Sequence, residues 1–250
     1  MPSPLFSIIV PTLGAETVIA QCLESLRQQT HQDFEIVVLD GCSTDKTVEI
    51  VSDYRGVFGE RLVIHSEKDG GVYVAMNKGI SLAGGEWLYF LGADDRLHDP
   101  GTLRNVAEFI QRHPDSHLVY GDVIMQSSSS RYDGVFDLDK LLFQKNICHQ
   151  AIFYRKTVFD KIGCYNLQYR IWADWDLNIR CFQHPAFVLR YMDLVIAHYN
   201  DMSGVSQRED PVLRKRLPAF IPQIPEKKPG FLSRMKRGLL SRRQAGRSKA

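Results

Sequence analysis

EKDGGVYVAMNKGISLAGGEWLYFLGADD, running from Glu67 to Asp95, holds a turn, a helix, a strand and a carboxylate pair in one stretch. Gly70-Gly71 marks the turn, and Val72 to Leu82 reads as the helix that follows it. Glu86 to Leu91 reads as a short buried strand, and the polar Asp94-Asp95 lies just past its end. The same order recurs on the N-terminal side. Phe6 to Val10 is an apolar, β-branched run ended by Pro11 and predicts a strand. Val18, Ile19, Cys22, Leu23 and Leu26 repeat at helical spacing within residues 15–29. Phe34 to Leu39 and Leu62 to Ile64 predict two more strands, with a helix from Asp45 to Tyr54 between them. A further helix is predicted from Thr102 to Arg112. Strand–helix alternation of this kind specifies an α/β fold with a doubly wound, mostly parallel sheet.

The second half is less regular. Leu118 to Met125 and Tyr132 to Phe136 predict strands on either side of a polar surface loop, Gln126 to Ser130. Ala151 to Tyr154 predicts a strand, Trp172 to Phe182 a helix, and Phe187 to Ala197 an extended segment. Pro218, Pro222, Pro225 and Pro229 mark a linker. The expected organisation is one domain over residues 1–208, then a linker and tail over 209–250.

Composition narrows the class. The hydrophobic share of 44% and charged share of 24% are those of a soluble globular protein. The net charge of +2 hides an asymmetry: Lys227 to Ala250 holds nine Lys or Arg and no acid, which leaves about −7 on the first 226 residues. Five cysteines, an odd number with no CxxC spacing, fit free thiols in a reducing cytoplasm. The N-terminus lacks the basic start and apolar run of a signal peptide. No stretch reaches the roughly 20 apolar residues of a membrane-spanning helix, so membrane contact is expected to be peripheral. The expected location is the cytoplasm, at the inner face of the plasma membrane.

Ligands of open α/β sheets bind beyond the carboxyl ends of the strands. Thr12, Asp40 and the Asp94-Asp95 pair all fall there. Asp40 suits hydrogen bonds to a base or ribose, and Asp94-Asp95 suits a divalent cation, which prefers carboxylate and phosphate oxygens. The plainer alternative makes Asp40 the start of a turn and Asp94-Asp95 a helix cap. There is no GxGxxG after the first strand and no GxxxxGK[ST], which argues against a dinucleotide oxidoreductase or a kinase-like enzyme.

Three blocks, SIIVPT (Ser7 to Thr12), VVLDGCSTDKT (Val37 to Thr47) and Glu67 to Asp95, together resemble the donor half of family 2 glycosyltransferases. These are inverting enzymes of the GT-A fold with a Rossmann-like nucleotide-binding half. The third block is similar to the bacterial polysaccharide and lipopolysaccharide branch, including colanic-acid-type transferases. The likeness covers residues 5–205. It implies transfer of a sugar from a nucleotide-sugar donor, UDP-sugars favoured, to a hydroxyl of a glycan or lipid-linked acceptor. By the same resemblance Thr12, Asp40, Asp69 and Asp94 contact the donor. Asp95, with Asp94, holds Mn²⁺ or Mg²⁺, and His198 completes that shell in some relatives. YRIWADWDLNIR (Tyr169 to Arg180) resembles the start of the acceptor-side helix, whose base position falls on Asp174. ICHQAIFYRK (Ile147 to Lys156) resembles another block and makes His149 and Gln150 donor or acceptor contacts. Asp174 as a helix cap and His149 as a structural histidine are the plain alternatives. Val74 stands where this branch usually has Asp, Ala173 where Glu often precedes the base, and Gly14 where Asn is usual.

Two rival functions share the architecture. A nucleotidyltransferase is expected to carry a Gly/Arg/Lys-rich loop after its first strand, and Pro11 to Glu16 has no basic residue. A catalytically inactive nucleotide-sugar-binding protein would have no reason to keep Asp94, Asp95 and Asp174 together. Gly230 to Gln244 places Phe231, Leu232, Met235, Leu239 and Leu240 near one helical face with cations elsewhere, which suits an anionic lipid surface. A disordered, solvated tail is the plain alternative. Aromatic or glycine interleaving for nucleic acid is absent, so no nucleic-acid partner is expected. A chain truncated at Pro225 is expected to keep its fold and lose affinity for anionic vesicles, at about 1 kcal/mol per cation near the surface and fading with salt. Equal vesicle sedimentation of the two lengths refutes the lipid-binding tail.

Overall fold

A computed structural model describes residues 3–202 and 209–223. The basic tail, including Gly230 to Gln244, lies outside the described residues. The N-terminal half alternates strand and helix: β1 (Phe6–Thr12), α1 (Ile19–Arg27), β2 (Phe34–Asp40), α2 (Thr47–Asp53), α3 (Arg55–Phe58), β3 (Leu62–Ser66), α4 (Val72–Leu82) and β4 (Trp87–Phe90). β5 (Arg96–Leu97), α5 (Thr102–Arg112), β6 (Leu118–Met125) and β7 (Arg131–Tyr132) come next, followed by α6 (Leu138–Phe143) and β8 (Ile152–Arg155). Then come α7 (Thr157–Ile162), α8 (Ala173–Gln183), β9 (Leu189–Tyr199) and α9 (Pro211–Arg216).

Among the described residues nine strands join one sheet in the order β3-β2-β1-β4-β8-β6-β9-β5, with β7 paired to β6. β3, β2, β1 and β4 are parallel, as the alternation predicts. β8 runs antiparallel to both β4 and β6, and β6 is parallel to β9. Helices cover both faces of the first half. That explains why β1, β2 and β4 read as unbroken apolar runs rather than alternating ones. Ile8, Ile9, Val10, Tyr89 and Phe90 are all fully buried. α5 buries Leu103, Val106 and Ile110 on one stripe, each worth about 1.5–3 kcal/mol when fully removed from water. α4 lies close on β1 because residue 79 is glycine: a Cβ there would meet Ile9 Cγ2 at 2.5 Å and Leu39 Cδ2 at 3.3 Å.

The elements depart from the sequence reading in one place that affects the cleft. A strand is predicted over Tyr132 to Phe136, but β7 stops at Tyr132. The buried Asp122 carboxylate accepts the N–H of Asp133 at 2.9 Å and of Gly134 at 2.7 Å. It also pairs with Arg131 and accepts the Tyr191 hydroxyl at 2.8 Å. These bonds replace the ladder and turn the chain off the sheet. Further on, Asp210 is buried and accepts the N–H groups of Ile171 and Trp172. One compact unit runs to Lys215, just ahead of Pro218, and a second begins at Arg216. Pro218 and Pro222 lie in a 3-10 segment, Leu217–Gln223.

β6 and β9 slip register on either side of Asp122, and Gly121 lies within the first slip. A Cβ at Gly121 would collide with the Leu194 carbonyl oxygen and meet Ile196 Cγ1 at 2.9 Å. Backbone on a paired strand cannot yield as a side chain can. Gly121→Ala is expected to destabilise the fold by about 1–3 kcal/mol. Its midpoint in urea checks this, and an unchanged midpoint would show that the bulge relaxes freely.

Candidate active site

The strand ends open on a cavity of about 830 Å³. On one side it is lined by Thr12, Leu13 and the Gly92–Asp95 turn. On the other it is lined by Tyr132, Asn146, His149, Trp172, Asp174 and Trp175. Of the residues expected to touch the donor or metal, Thr12, Asp94 and Asp95 come together there, and so do Asp174, His149 and Gln150.

Asp95 is the buried member of its pair, at 2% exposure, while Asp94 is exposed. The Asp95 carboxylate accepts the Gln150 side-chain N–H at 2.6 Å and the Asn200 backbone N–H at 2.8 Å. Asp94 accepts from the Asn200 side chain at 2.9 Å. Burial, with a further push from Asp94 against the opposing hydrogen bonds, raises the Asp95 pKa to about 7. The turn is tight because residue 92 is glycine. A Cβ there would collide with Asp95 Oδ2 and meet Asp94 Oδ1 at 3.1 Å, so both carboxylates fold over the same space. Neither Asp caps α5, which starts only at Thr102.

Two adjacent carboxylates form a hard oxygen donor set suited to Mg²⁺ or Mn²⁺. Among the described residues no three His, Cys, Asp or Glu gather around one point. The carboxylates of the described residues would supply only part of a coordination sphere. That fits an ion whose other ligands are substrate phosphates and water, the usual mode for Mg²⁺. His198 does not join this pair. It sits on β9 one residue before Tyr199, and neighbouring strand residues face opposite ways. Tyr199 lines the cavity, whereas the His198 ring stacks on His98, with Nε2 3.1 Å from His98 Nδ1.

Thr12 is 7% exposed, lines the cavity, and its hydroxyl has no hydrogen-bond partner. An unsatisfied buried hydroxyl at a strand end is a ready contact for a polar ligand. Asp40 behaves as the plainer alternative holds: its carboxylate takes the N–H and hydroxyl of Ser43 and the hydroxyl of Ser66. Asp69 accepts the Gly71 N–H at 2.9 Å, just before α4. Neither Asp40 nor Asp69 is among the residues lining the cavity, and Val74 is not either.

Asp174 lies in the first turn of α8 and faces the cavity. Its carboxylate accepts the Tyr73 hydroxyl at 2.8 Å and the Asn146 side-chain N–H at 2.8 Å. His149 Nδ1 lies 3.8 Å away. Burial raises the Asp174 pKa, against the lowering effects of His149, the Tyr73 hydroxyl and the N–H groups of its own residue and Trp175. Burial also lowers the His149 pKa, so the neutral imidazole is favoured there. Asp176 points elsewhere and pairs with Arg180 at 2.8 Å. Gln150 has its oxygen on the Cys148 thiol at 2.9 Å and its N–H on Asp95, so it supports the carboxylate. Sequence reasoning missed Tyr73, Asn146, Asn200 and the Trp172–Trp175 pair, whose rings lie 5.1 Å apart. Tyr73 sits inside the quoted opening stretch, but nothing local shows that its hydroxyl reaches residue 174.

A parallel half-sheet thus carries a carboxylate pair at its strand ends, and a separate buried carboxylate lines the same cleft. The Glycosyl transferase family 2 model matches residues 7–163, and the chain belongs to that family. It is 56% identical over 219 residues to a PGL/p-HBAD biosynthesis glycosyltransferase of Mycobacterium tuberculosis, covering 87% of this chain and 86% of the relative. Mycobacterium bovis has one at the same identity. The finer likeness to colanic-acid-type transferases finds no support in these relatives. Staphylococcus aureus TarS 1-349 in complex with UDP-GlcNAc shares the fold with a TM-score of 0.72 at 21% identity, over 89% of this chain and 68% of that one. The chain spans 36% of the longer TarS structure. A mannosyltransferase from Pyrobaculum calidifontis, in complex with GDP-Man and Mn²⁺, has a TM-score of 0.64 at 18% identity, over 91% and 67% of the two chains.

The raised pKa of Asp95 has a consequence for stability. An unfolded aspartate titrates near pH ~4, whereas folded Asp95 holds its proton to about pH 7. Between these values the native state binds the extra proton, so its stability falls as pH rises through that window. In EDTA, the Tm of Asp95→Asn relative to the parent is expected to rise from pH 5 to pH 8. A constant difference across that range would mean that Asp95 ionises normally.

Proposed function

We propose that the chain is an inverting, metal-dependent glycosyltransferase. It moves one sugar from a nucleoside diphosphate donor to a hydroxyl of a glycolipid or glycan acceptor. The observation that carries this reading is Asp174: a buried carboxylate facing the same cleft as Asp94 and Asp95, yet held by its own partners. An inverting transfer needs a base on the side away from the leaving group, and a nucleotide transfer or a simple binder has no use for it. The names of the mycobacterial relatives and of TarS support a cell-surface glycolipid or glycan as the acceptor class. TarS with UDP-GlcNAc supports a UDP-sugar, and the mannosyltransferase with GDP-Man keeps guanosine donors in the screen.

In this reading the nucleoside enters past Thr12 and the diphosphate reaches the Asp94-Asp95 turn. A divalent cation held there by the two carboxylates would neutralise the negative charge that gathers on the leaving diphosphate. Asp174 then takes the proton of the acceptor hydroxyl as its oxygen attacks the anomeric carbon. A buried carboxylate with a raised pKa is a better base than one in water, because its proton affinity lies nearer the working pH. Trp172 and Trp175 line the cavity on either side of this base in sequence. The acidic body and basic tail support work at the cytoplasmic face of an anionic membrane, and no helix among the described residues is long and apolar enough to cross one.

Two substitutions separate the roles. Asp174→Asn is expected to lower turnover by roughly 10²–10⁴-fold and to leave nucleotide-sugar affinity nearly intact. Asp95→Asn, like EDTA, is expected to weaken donor binding and turnover together. Calorimetry with a panel of UDP- and GDP-sugars plus Mn²⁺, paired with nucleotide-release rates, reads both. Turnover of Asp174→Asn within about threefold of the parent, far short of a lost base, removes Asp174 from the mechanism. Full activity in EDTA removes the metal.

A further inference from the structure

Beneath Asp174 runs a chain of polar groups that the reaction above does not use. The hydroxyl of Tyr154, a fully buried residue of β8, donates to Asn178 Oδ1 at 2.7 Å. Asn178, fully buried on α8, donates through Nδ2 to Asn146 Oδ1 at 2.8 Å. Asn146 donates through Nδ2 to Asp174 Oδ2 at 2.8 Å. Three elements thus pass one hydrogen-bond direction from the core to the cleft.

Direction is the point of the chain. A carboxamide has an acceptor end and a donor end, and turning it over exchanges them. A phenol can accept as well as donate, but the Tyr154 hydrogen meets no other acceptor among the described residues, so turning Asn178 over would strand it, and the oxygen end of that amide is held toward Tyr154. Asn178 must then present N–H to Asn146, and Asn146 must present N–H to Asp174. Turning either amide alone sets oxygen against oxygen or leaves a buried group unpaired. The other carboxylate oxygen faces a different kind of partner. The Tyr73 oxygen lies 2.8 Å from Asp174 Oδ1 and 2.6 Å from the Ile171 carbonyl. With one proton for two acceptors, this hydroxyl can donate to an ionised Asp174 or turn to Ile171 and accept from a protonated one.

We infer that Asn146 is a positioning residue whose N–H is locked onto Asp174 Oδ2 by the Tyr154–Asn178 pair, so that the proton taken from the acceptor comes to rest on Oδ1, against Tyr73. The inference rests on Asp174 being the base. In that step the acceptor O–H bond breaks as its oxygen bonds to the anomeric carbon. The leaving diphosphate departs with the electron pair of its glycosidic bond. The proton goes to Oδ1, and the Tyr73 hydrogen swings to the Ile171 carbonyl. The titratable groups around Asp174 are His149 at 3.8 Å, Tyr73, and further off Tyr132, Tyr165, Tyr154 and Cys148. Burial holds the four phenols and the thiol above their ordinary range and His149 below its own, so none of them supplies a competing charge near neutral pH.

The test needs no substrate. The full chain is labelled with carboxyl-¹³C aspartate, and the Asp174 signal is assigned by its loss in Asp174→Asn. Its titration is then followed in the parent, Asn146→Ala and Tyr154→Phe, with Tm as a control for folding. Removing the Asn146 donor is expected to move the Asp174 midpoint upward. Tyr154→Phe, which deletes one oxygen two residues along the chain from Asn146, is expected to move it in the same direction, because the amides are then free to turn over. A midpoint unmoved in Asn146→Ala overturns the inference. So does an unmoved midpoint in Tyr154→Phe when Asn146→Ala shifts, since the lock is then absent. Nucleotide release from UDP-GlcNAc, or from whichever sugar of the panel turns over, separates this from the reading beneath it. An inactive Asp174→Asn with unmoved midpoints overturns the chain alone, whereas an Asp174→Asn as fast as the parent overturns the base.

Discussion

The buried carboxylate of Asp95 is the tie on which the cleft depends. Its two oxygens take Gln150, just ahead of β8, and the backbone of Asn200, just past β9. One side chain therefore gathers the turn after β4 and the ends of two strands of the second half of the sheet. A buried ionisable group is costly unless it is well bonded, and removing a partner leaves that cost uncompensated. In the proposed function the same bonds would hold Asp95 in place for a cation. Structure and function thus make one demand on this residue, and Gly92 makes the demand geometrically feasible by leaving space where a side chain would press on both carboxylates.

The two carboxylate sites are kept apart in chemistry as well as in sequence. Asp94 and Asp95 lie side by side, and one is exposed. Asp174 stands alone among neutral donors, a hydroxyl and an amide. Neutral donors leave the carboxylate basic, whereas an arginine or lysine in their place would hold it ionised and weak. Arg180, the cation nearest in sequence on α8, is bound instead to Asp176 and to the carbonyls of Ile162, Gly163 and Cys164. Helical spacing accomplishes this separation, since positions two apart on a helix face different ways.

Much of the fold is legible because it is written locally. α4 and α5 follow from apolar spacing, and β1, β2 and β4 from short apolar runs ended by turn residues. The end of β7 is not legible. What stops it is Asp122, whose carboxylate captures backbone N–H groups eleven and twelve residues on. The site divides the same way. Thr12, Asp94, Asp95 and Asp174 stand at predicted element ends and could be named from position and resemblance. Tyr73 and Asn200 could not, because their partners lie 101 and 105 residues away. His198 shows the limit of resemblance: one step along a strand reverses the face, and its ring meets His98 rather than the carboxylates.

The sheet order also fixes when the enzyme comes into being. β9, the last of the strands to leave the ribosome, lies between β6 and β5, which are made long before it. Until it inserts, those strands present unpaired backbone on facing edges, and Asp95 lacks its bond to Asn200. Nascent chains short of residue 200 therefore cannot have a finished cleft, and long-range pairing of this sort is slow and exposes edges to other chains. A cell making this protein would gain from keeping those edges covered during synthesis, and a fusion placed after Lys215 would disturb assembly less than one inserted ahead of β9.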